Sequence, residues 1–192
     1  MFSQFIESHL SSSLELIGRL DSLIAPATEI AELMISSLAK GGTVFWFGNG
    51  GSASDAENLA AELAGRFAFD RDPLSSFSLT ANSSIFSAIA NDYGYENVFS
   101  RQVKGYVKPN DVVVGITTSG KSINVTNGLS EAKRIGAQTV AFTGEHTELL
   151  SFVNLTLAIP STITAHIQEA HIILGQAICG SIETNLFKKL ND

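Results

Sequence analysis

The chain has 192 residues, 44% of them hydrophobic, which is enough to build one domain around a substantial core. Its 12 basic and 19 acidic side chains leave a net charge of −7, and the resulting field argues against general nucleic-acid binding. The chain has a single cysteine, which argues against an internal disulfide, and its start lacks a basic and apolar leader, which argues against secretion. The sequence has no run of roughly 18 apolar residues, which argues against a membrane partner. We therefore expect a soluble cytoplasmic protein.

The first 40 residues are predicted to form two helices. Apolar residues recur near every 3.6 positions across this segment, with a break expected around Ala25-Pro26. We expect a single domain over residues 1–192, in which an N-terminal helical extension (1–40) precedes an α/β core (41–190). Apolar stripes on the long helices at both ends of the chain predict that the extension is used in oligomerisation.

Beyond residue 40, short β-prone segments alternate with segments of helical spacing. The predicted strands are TVFWF (43–47), SFSLT (76–80), DVVVGI (111–116), QTVAFT (138–143) and LTLAI (155–159). Helices are predicted between and after them, over 55–67, near 83–90, and over 122–135 and 163–189. Such alternation is typical of a parallel sheet covered by helices on both faces, so the expected fold class is α/β, a three-layer sandwich with extra N-terminal helices.

The stretch GITTSGKS, residues 115–122, has the spacing of a nucleotide-binding P-loop. Hydrolysis of ATP or GTP also needs a carboxylate at another strand end to hold Mg²⁺, and the later strands end in Gly144 and Pro160 instead. The loop nevertheless crowds hydroxyls and backbone N–H groups at a helix start, which favours an anion site. Its hydroxyl residues are Thr117, Thr118, Ser119 and Ser122. The alternative is that Ser122 simply caps the helix.

A second loop, GNGGS at 48–52, also lies between a predicted strand and a predicted helix. Ligands of open α/β sheets bind beyond the carboxyl ends of the strands, so the two loops are expected to converge on one ligand. Glycines let the backbone approach closely, and Asn49 and Ser52 can bind hydroxyl groups. The inferred ligand, with one phosphate and several hydroxyls, is a phosphosugar, although glycine after a strand is also ordinary turn chemistry.

Four motifs, FGNGGSASDAENLAAELAGRF, AIANDYGYENVFSRQV, NDVVVGITTSGKSINV and IQEAHIILGQAIC, together resemble bacterial phosphoheptose isomerases of the sugar-isomerase (SIS) domain family. The match runs from about residue 40 to residue 185. It implies a flavodoxin-like, five-stranded parallel sheet flanked by helices, and a homotetramer. It also implies conversion of sedoheptulose 7-phosphate to D-glycero-D-manno-heptose 7-phosphate by proton transfer through an enediol, in heptose biosynthesis for the lipopolysaccharide core.

The resemblance also implies roles for individual residues. Glu62 matches the catalytic glutamate, and Arg66 is placed to pair with that carboxylate or with the substrate. Without the motif, this pair would be an ordinary solvated ion pair. The residues expected to hold sugar hydroxyls are Asn49, Gly50, Gly51, Asn91 and Asp92. The residues expected to hold the phosphate, in place of ATP, are Thr117, Thr118, Ser119 and Ser122.

The chain departs from the family at the zinc site. The family binds zinc through a histidine and a glutamate four apart, and a glutamine and a histidine eight apart; these positions read Asn58, Glu62, Gln168 and Gln176. Amide oxygens are poor zinc ligands, so we expect no tightly bound zinc and no other cofactor, and assign Gln168 to substrate binding. Gln176 takes the place of the catalytic histidine, and a glutamine cannot exchange a proton near neutral pH.

Three functions therefore stay open. One is an isomerase that uses Glu62 as base and is slowed by the loss of both histidines. Another is a non-catalytic SIS protein that senses a phosphosugar or binds a replication initiator, and the third is a phosphosugar enzyme of different specificity. Retention of Glu62 favours the enzyme, and loss of the histidines favours the second role. Of the remaining histidines, His171 is expected to be packed or interfacial, and His166 to serve this site or that of a neighbouring subunit. His9 and His146 are expected at the surface.

Overall fold

The N-terminal segment of the computed structural model, which describes residues 2–147 and 150–188, is helical as predicted. Helix α1 (Phe2–Ile17) and helix α2 (Ile24–Leu38) are joined by a short 3₁₀ turn. The break predicted around Ala25-Pro26 is wrong, because the chain turns before α2 begins. Pro26 lies in the first turn of α2, where the missing backbone N–H would have had no partner.

Five parallel strands form one sheet in the order β2-β1-β3-β4-β5. The strands are β1 (Val44–Gly48), β2 (Ser76–Ser78), β3 (Val112–Thr117), β4 (Gln138–Thr143) and β5 (Leu155–Ala158). Each strand lies within its predicted segment or extends one residue beyond it. Because the strands are parallel, their carboxyl ends all lie at the same edge of the sheet, where the two predicted ligand loops begin.

Helices cover both faces of the sheet. They are α3 (Gly51–Ala64), α4 (Ser83–Tyr93), α5 (Ser100–Tyr106), α6 (Ile123–Ile135) and α7 (Thr164–Phe187). The short helix α5 was not predicted. Side chains of a strand alternate between its faces, so Trp46 joins the core beneath α2, α3 and α7, while Phe47 packs with Phe99 in the core on the other side. The predicted three-layer α/β sandwich is confirmed.

Helix α1 leaves much of its apolar surface uncovered. Its exposed hydrophobic residues are Phe2, Phe5, Ile6, Leu10, Leu14 and Ile17. This surface agrees with the predicted packing of the extension between subunits, which stays a prediction. Across the described residues, we find no helix with the length and apolarity needed to cross a membrane.

Candidate active site

Asn49 joins the two predicted ligand loops. It follows β1, and its Nδ2 donates to Oδ1 of Asn124 at 2.9 Å, while Nδ2 of Asn124 donates back to Asn49 Oδ1 at 2.8 Å. Asn124 is buried in the first turn of α6, directly after the hydroxyl-rich loop. The predicted convergence of the two loops at one edge of the sheet is therefore confirmed.

A third segment reaches the same place. The hydroxyl of Tyr95, just beyond α4, donates to Asn49 Oδ1 at 2.8 Å. Asn49 and Tyr95 separate two open clefts of about 450 Å³ and 350 Å³, one towards the start of α3 and the other towards Ser122. The larger cleft also contains Glu57, whose carboxylate accepts a hydrogen bond from Thr80 at 3.0 Å. Neither Tyr95 nor Glu57 was predicted from the sequence.

The two ends of the hydroxyl-rich loop are joined by its own side chains. Thr117 is buried at the end of β3, and its Oγ1 lies 3.0 Å from Oγ of Ser122. Ser122 makes no side-chain hydrogen bond to the helix that it precedes, so the alternative that it is only a cap is wrong. Ser119 is exposed, with its Oγ accepting from the backbone N–H of Lys121 at 3.2 Å.

The loop that follows β4 packs against the hydroxyl-rich loop. Gly144 donates its backbone N–H to the carbonyl oxygen of Thr118 at 3.2 Å. Gly120 has a φ of +65°, and a Cβ there would lie 2.1 Å from the carbonyl oxygen of His146. Only glycine fits at that position, so the loop has one preferred path around its hydroxyl groups.

Helix α7 covers the first loop from the other side. A Cβ on Gly51 would lie 2.4 Å from Nε2 of Gln168, so this amide rests directly on the start of α3. Further along, Leu59 of α3 packs against Gly175 of α7. Gly51, Asp55, Leu59 and Glu62 recur at three- and four-residue spacing and therefore form the face of α3 that meets α7. Gln168 therefore lies beside the first loop, and its role in substrate binding stays a prediction.

Glu62 lies on this face and is half-buried. Burial first, and the negative charge of Glu62 second, raise the pKa of the Cys179 thiol on α7 to about 12. The carboxylate is therefore close enough to α7 for its charge to act on that thiol. The predicted contact with Arg66 is not formed within the described residues: Arg66 is exposed, and the guanidinium that reaches this turn belongs to Arg71.

Arg71 was not predicted from the sequence to be part of this site. It forms an ion pair with Glu183 of α7 at 3.0 Å, and both side chains are almost fully buried. Its Nη2 also donates to the carbonyl oxygen of Glu62 at 2.8 Å. The pair closes the far end of the α3–α7 interface and so fixes the turn that carries Glu62. No local signal could have found it, because the partners are 112 positions apart.

Asp55 was not predicted from the sequence either. Its Oδ2 is buried without a hydrogen-bond partner, and burial raises the pKa of the carboxyl to about 6. It lies one helical turn after Gly51 and two turns before Glu62, on the face towards α7. A carboxyl group that titrates near neutral pH can donate or accept a proton there. The spacing from Gly51 was the signal in the sequence that could have identified it.

Asn91 and Asp92 are not brought to the two loops within the chain. Both are exposed at the end of α4, where Asn91 donates to Asp92 at 2.8 Å, and neither lines the clefts beside Asn49. Tyr95 takes the position next to Asn49 instead. Ser52 is buried on the side of α3 that faces the sheet, while Gly50 is exposed at the mouth of the larger cleft.

The donor set at the family's zinc positions does not fit zinc. Its side chains are one carboxylate, Glu62, and three carboxamides, Asn58, Gln168 and Gln176, and zinc prefers imidazole, thiolate and carboxylate ligands. His171 does not compensate, because it is fully buried with its Nε2 3.1 Å from the carbonyl oxygen of Thr143. Burial lowers the pKa of His171 to about 4, so it is a neutral, packed residue, as expected.

The sequence of this chain is similar to those of known proteins. A sequence model described as the SIS domain matches residues 9–144. The phosphoheptose isomerase of Burkholderia pseudomallei (strain 1710b) is 45% identical over 170 residues, covering 88% of this chain and 86% of that protein. The probable phosphoheptose isomerase of Thermoplasma acidophilum is 48% identical over 167 residues, covering 86% and 92%.

Solved structures give the same grouping. The phosphoheptose isomerase GmhA of Neisseria gonorrhoeae superposes with a TM-score of 0.90 at 34% identity, covering 96% of this chain and 100% of that one. A phosphoheptose isomerase of Francisella tularensis superposes with a TM-score of 0.92 at 30% identity, covering 96% and 99%.

Proposed function

This chain belongs to the SIS domain family, as its four motifs indicated, and we propose that it is a phosphoheptose isomerase that interconverts sedoheptulose 7-phosphate and D-glycero-D-manno-heptose 7-phosphate. The observation that carries the proposal is the reciprocal amide pair between Asn49 and Asn124. This pair holds a loop suited to sugar hydroxyls beside a loop suited to a phosphate. Relatives similar over most of their length are named phosphoheptose isomerase.

The substrate's phosphate binds at the hydroxyl-rich loop. Thr117, Ser119 and Ser122 supply hydroxyl groups there, Thr118 adds its backbone, and the start of α6 adds the positive end of a helix dipole. The sugar then extends past Asn49 and the glycines towards Gln168. Asn91 and Asp92 complete the hydroxyl contacts only if another subunit or a movement of α4 brings them there.

Isomerisation requires a base and a source of exchangeable protons. The base removes a proton from C1 of the ketose, the electrons move to form the enediol, and a proton is returned at C2 to give the aldose. We assign the carbon-bound proton to the Glu62 carboxylate. Gln176 can hold a substrate oxygen but cannot transfer a proton. We assign the protons of the oxygen atoms to Asp55, whose buried Oδ2 has no hydrogen-bond partner and which lies on the same face of α3 as Glu62.

The oligomer and the cellular role follow as parts of the same proposal. The apolar surface of α1 would be covered by another copy of the chain in a homotetramer. The enzyme would work in the cytoplasm and supply heptose for the lipopolysaccharide core. The alternative, a non-catalytic sensor or partner of a replication initiator, is favoured by one observation, the loss of both family histidines at Asn58 and Gln176.

The test is isotope exchange. Purified protein is incubated with sedoheptulose 7-phosphate in D₂O, and NMR follows deuterium entering at C1 and the appearance of the aldose. Glu62→Gln should slow exchange by at least ~100-fold, while Glu131→Gln, on the outer surface of α6, should leave it unchanged. Undiminished exchange in Glu62→Gln would remove Glu62 from the mechanism. Binding of the sugar phosphate by the wild type without any exchange would favour the non-catalytic role.

A further inference from the structure

A cluster of polar side chains joins α1 to the start of α7, and the proposed reaction does not use it. Nε2 of His9 lies 2.7 Å from Oε1 of Glu169, and Nδ1 of His166 lies 3.2 Å from Oε2 of the same carboxylate. The two imidazole rings are 4.5 Å apart between centroids. His9 lies at the surface, as expected, but it is held by Glu169, and His166 faces α1 rather than the site.

Ser13 orients the carboxylate. Its Oγ donates to Oε2 of Glu169 at 2.7 Å and also lies 3.0 Å from Nδ1 of His166. A hydrolytic Ser-His-Glu arrangement would need the imidazole to bridge the other two groups through its two nitrogens. Here both groups meet the same nitrogen, so the cluster is not a nucleophile and its base. A carboxylate fixed by an outer hydrogen bond is, in contrast, typical of a metal ligand.

The donor atoms match the preference of zinc. Among the described residues, one group of three histidine, cysteine or acidic side chains brings its ligand atoms within 4.8 Å of one another, and it is His9, His166 and Glu169. Zn²⁺ binds imidazole nitrogen and carboxylate oxygen at about 2.0–2.2 Å, so tetrahedral ligands stand about 3.3 Å apart. The 2.7 Å contact between His9 and Glu169 has to widen by about half an ångström, and the 3.2 Å contact between His166 and Glu169 is already near this value.

We propose that His9, His166 and Glu169 bind a zinc-class divalent cation, with a fourth position open to water. The side chains of His9 and Glu169 are 33% and 37% exposed, so an ion can reach the site from solvent. The bound ion would fasten α1 to the first turns of α7. Gln168 lies between two of the ligands in the chain, so the same ion would steady the amide that rests on Gly51.

The experiment is a titration of chelator-treated protein with Zn²⁺ by calorimetry, and with Co²⁺ by its visible absorption. We expect one ion per chain and an intense, tetrahedral-type cobalt spectrum. His9→Gln and Glu169→Gln should each weaken binding by more than the roughly 10–100-fold that loss of an outer partner costs. Glu62→Gln, at the family's metal position, is the control and should leave the affinity unchanged.

Thermal melting supplies a second reading. Zn²⁺, but not Mg²⁺, should raise the melting temperature of the wild type, and His9→Gln should abolish this rise. His9 is partly exposed, so its variant is expected to fold, and far-UV circular dichroism checks this; if Glu169→Gln misfolds, His9→Gln decides. Absence of binding in the wild type, or binding lost in Glu62→Gln and kept in His9→Gln, would overturn the proposal.

Discussion

Replacing Gly51 with alanine tests how Gln168 serves the site. The new Cβ would lie 2.4 Å from Nε2 of Gln168, whereas ordinary contacts begin near 3.4 Å, so the amide has to withdraw by about 1 Å. The obstructing atom is the end of a flexible side chain, and alanine favours helices over glycine. The free energy of unfolding of Gly51→Ala should therefore change by less than about 1 kcal/mol.

Activity should respond much more strongly than stability. A displacement of about 1 Å of a positioning group can cost on the order of 10²-fold, so kcat/KM of Gly51→Ala is expected to fall by roughly 10- to 100-fold. The assay is initial-rate formation of the aldose from sedoheptulose 7-phosphate, with a urea melt of each variant in parallel.

A double-mutant cycle identifies the cause of the loss. If the alanine acts by displacing Gln168, then Gly51→Ala combined with Gln168→Ala should be no slower than Gln168→Ala alone. Losses that multiply in the double variant would refute this reasoning. So would a Gly51→Ala variant with wild-type kcat/KM.

Two further predictions concern buried charge. Glu183→Gln should lower the free energy of unfolding, measured in urea at pH 7, by about 3–5 kcal/mol, because it leaves Arg71 buried without its partner. The control is Glu131→Gln, which breaks the surface pair with Arg134 and should lower the same free energy by less than about 1 kcal/mol. Burial would raise the pKa of Glu183, but the hydrogen bonds to its carboxylate and the charge of Arg71 outweigh it and lower this pKa below 4.5. The stabilisation is therefore complete above pH 4.5 and is lost as the pH falls further. A Glu183→Gln variant whose free energy of unfolding falls with acid as much as that of the wild type would contradict this. The free energy of unfolding of Asp55→Asn, measured relative to that of the wild type, should be higher at pH 8 than at pH 4 by about 1 kcal/mol. Burial raises the pKa of Asp55 from 3.8 to about 6, so the wild type has to hold a disfavoured charge at the higher pH. The partial exposure of Asp55 reduces the size of this effect. Melting curves between pH 4 and pH 8 check it, and parallel pH profiles of the two proteins would exclude the explanation.

The sheet and the meeting of the two loops were predictable because they depend on local patterns. Runs such as QTVAFT are apolar and β-prone, and parallel strands have to end at one edge. The position of Pro26 misled the prediction, because a proline both breaks helices and is tolerated in their first turn. Only the structure decides between these two effects.

The rest of the site depends on contacts between distant parts of the chain. Tyr95 reaches Asn49 across 46 positions, and Arg71 reaches Glu183 across 112, so neither contact leaves a periodic pattern in the sequence. Asp55 differs, because its helical position was readable and its titration was not. Burial, which raises its pKa, follows from the packing of α7 and not from neighbouring residues.

The amide pair of Asn49 and Asn124 has a consequence for how the protein meets its ligand. Because folding itself locks these loops together, little backbone ordering is left for the moment of association. A small, highly hydrated sugar phosphate offers few apolar groups to drive its own capture. A cradle that is rigid beforehand lets such a molecule be held by a handful of hydrogen bonds, and released as readily once it has been rearranged.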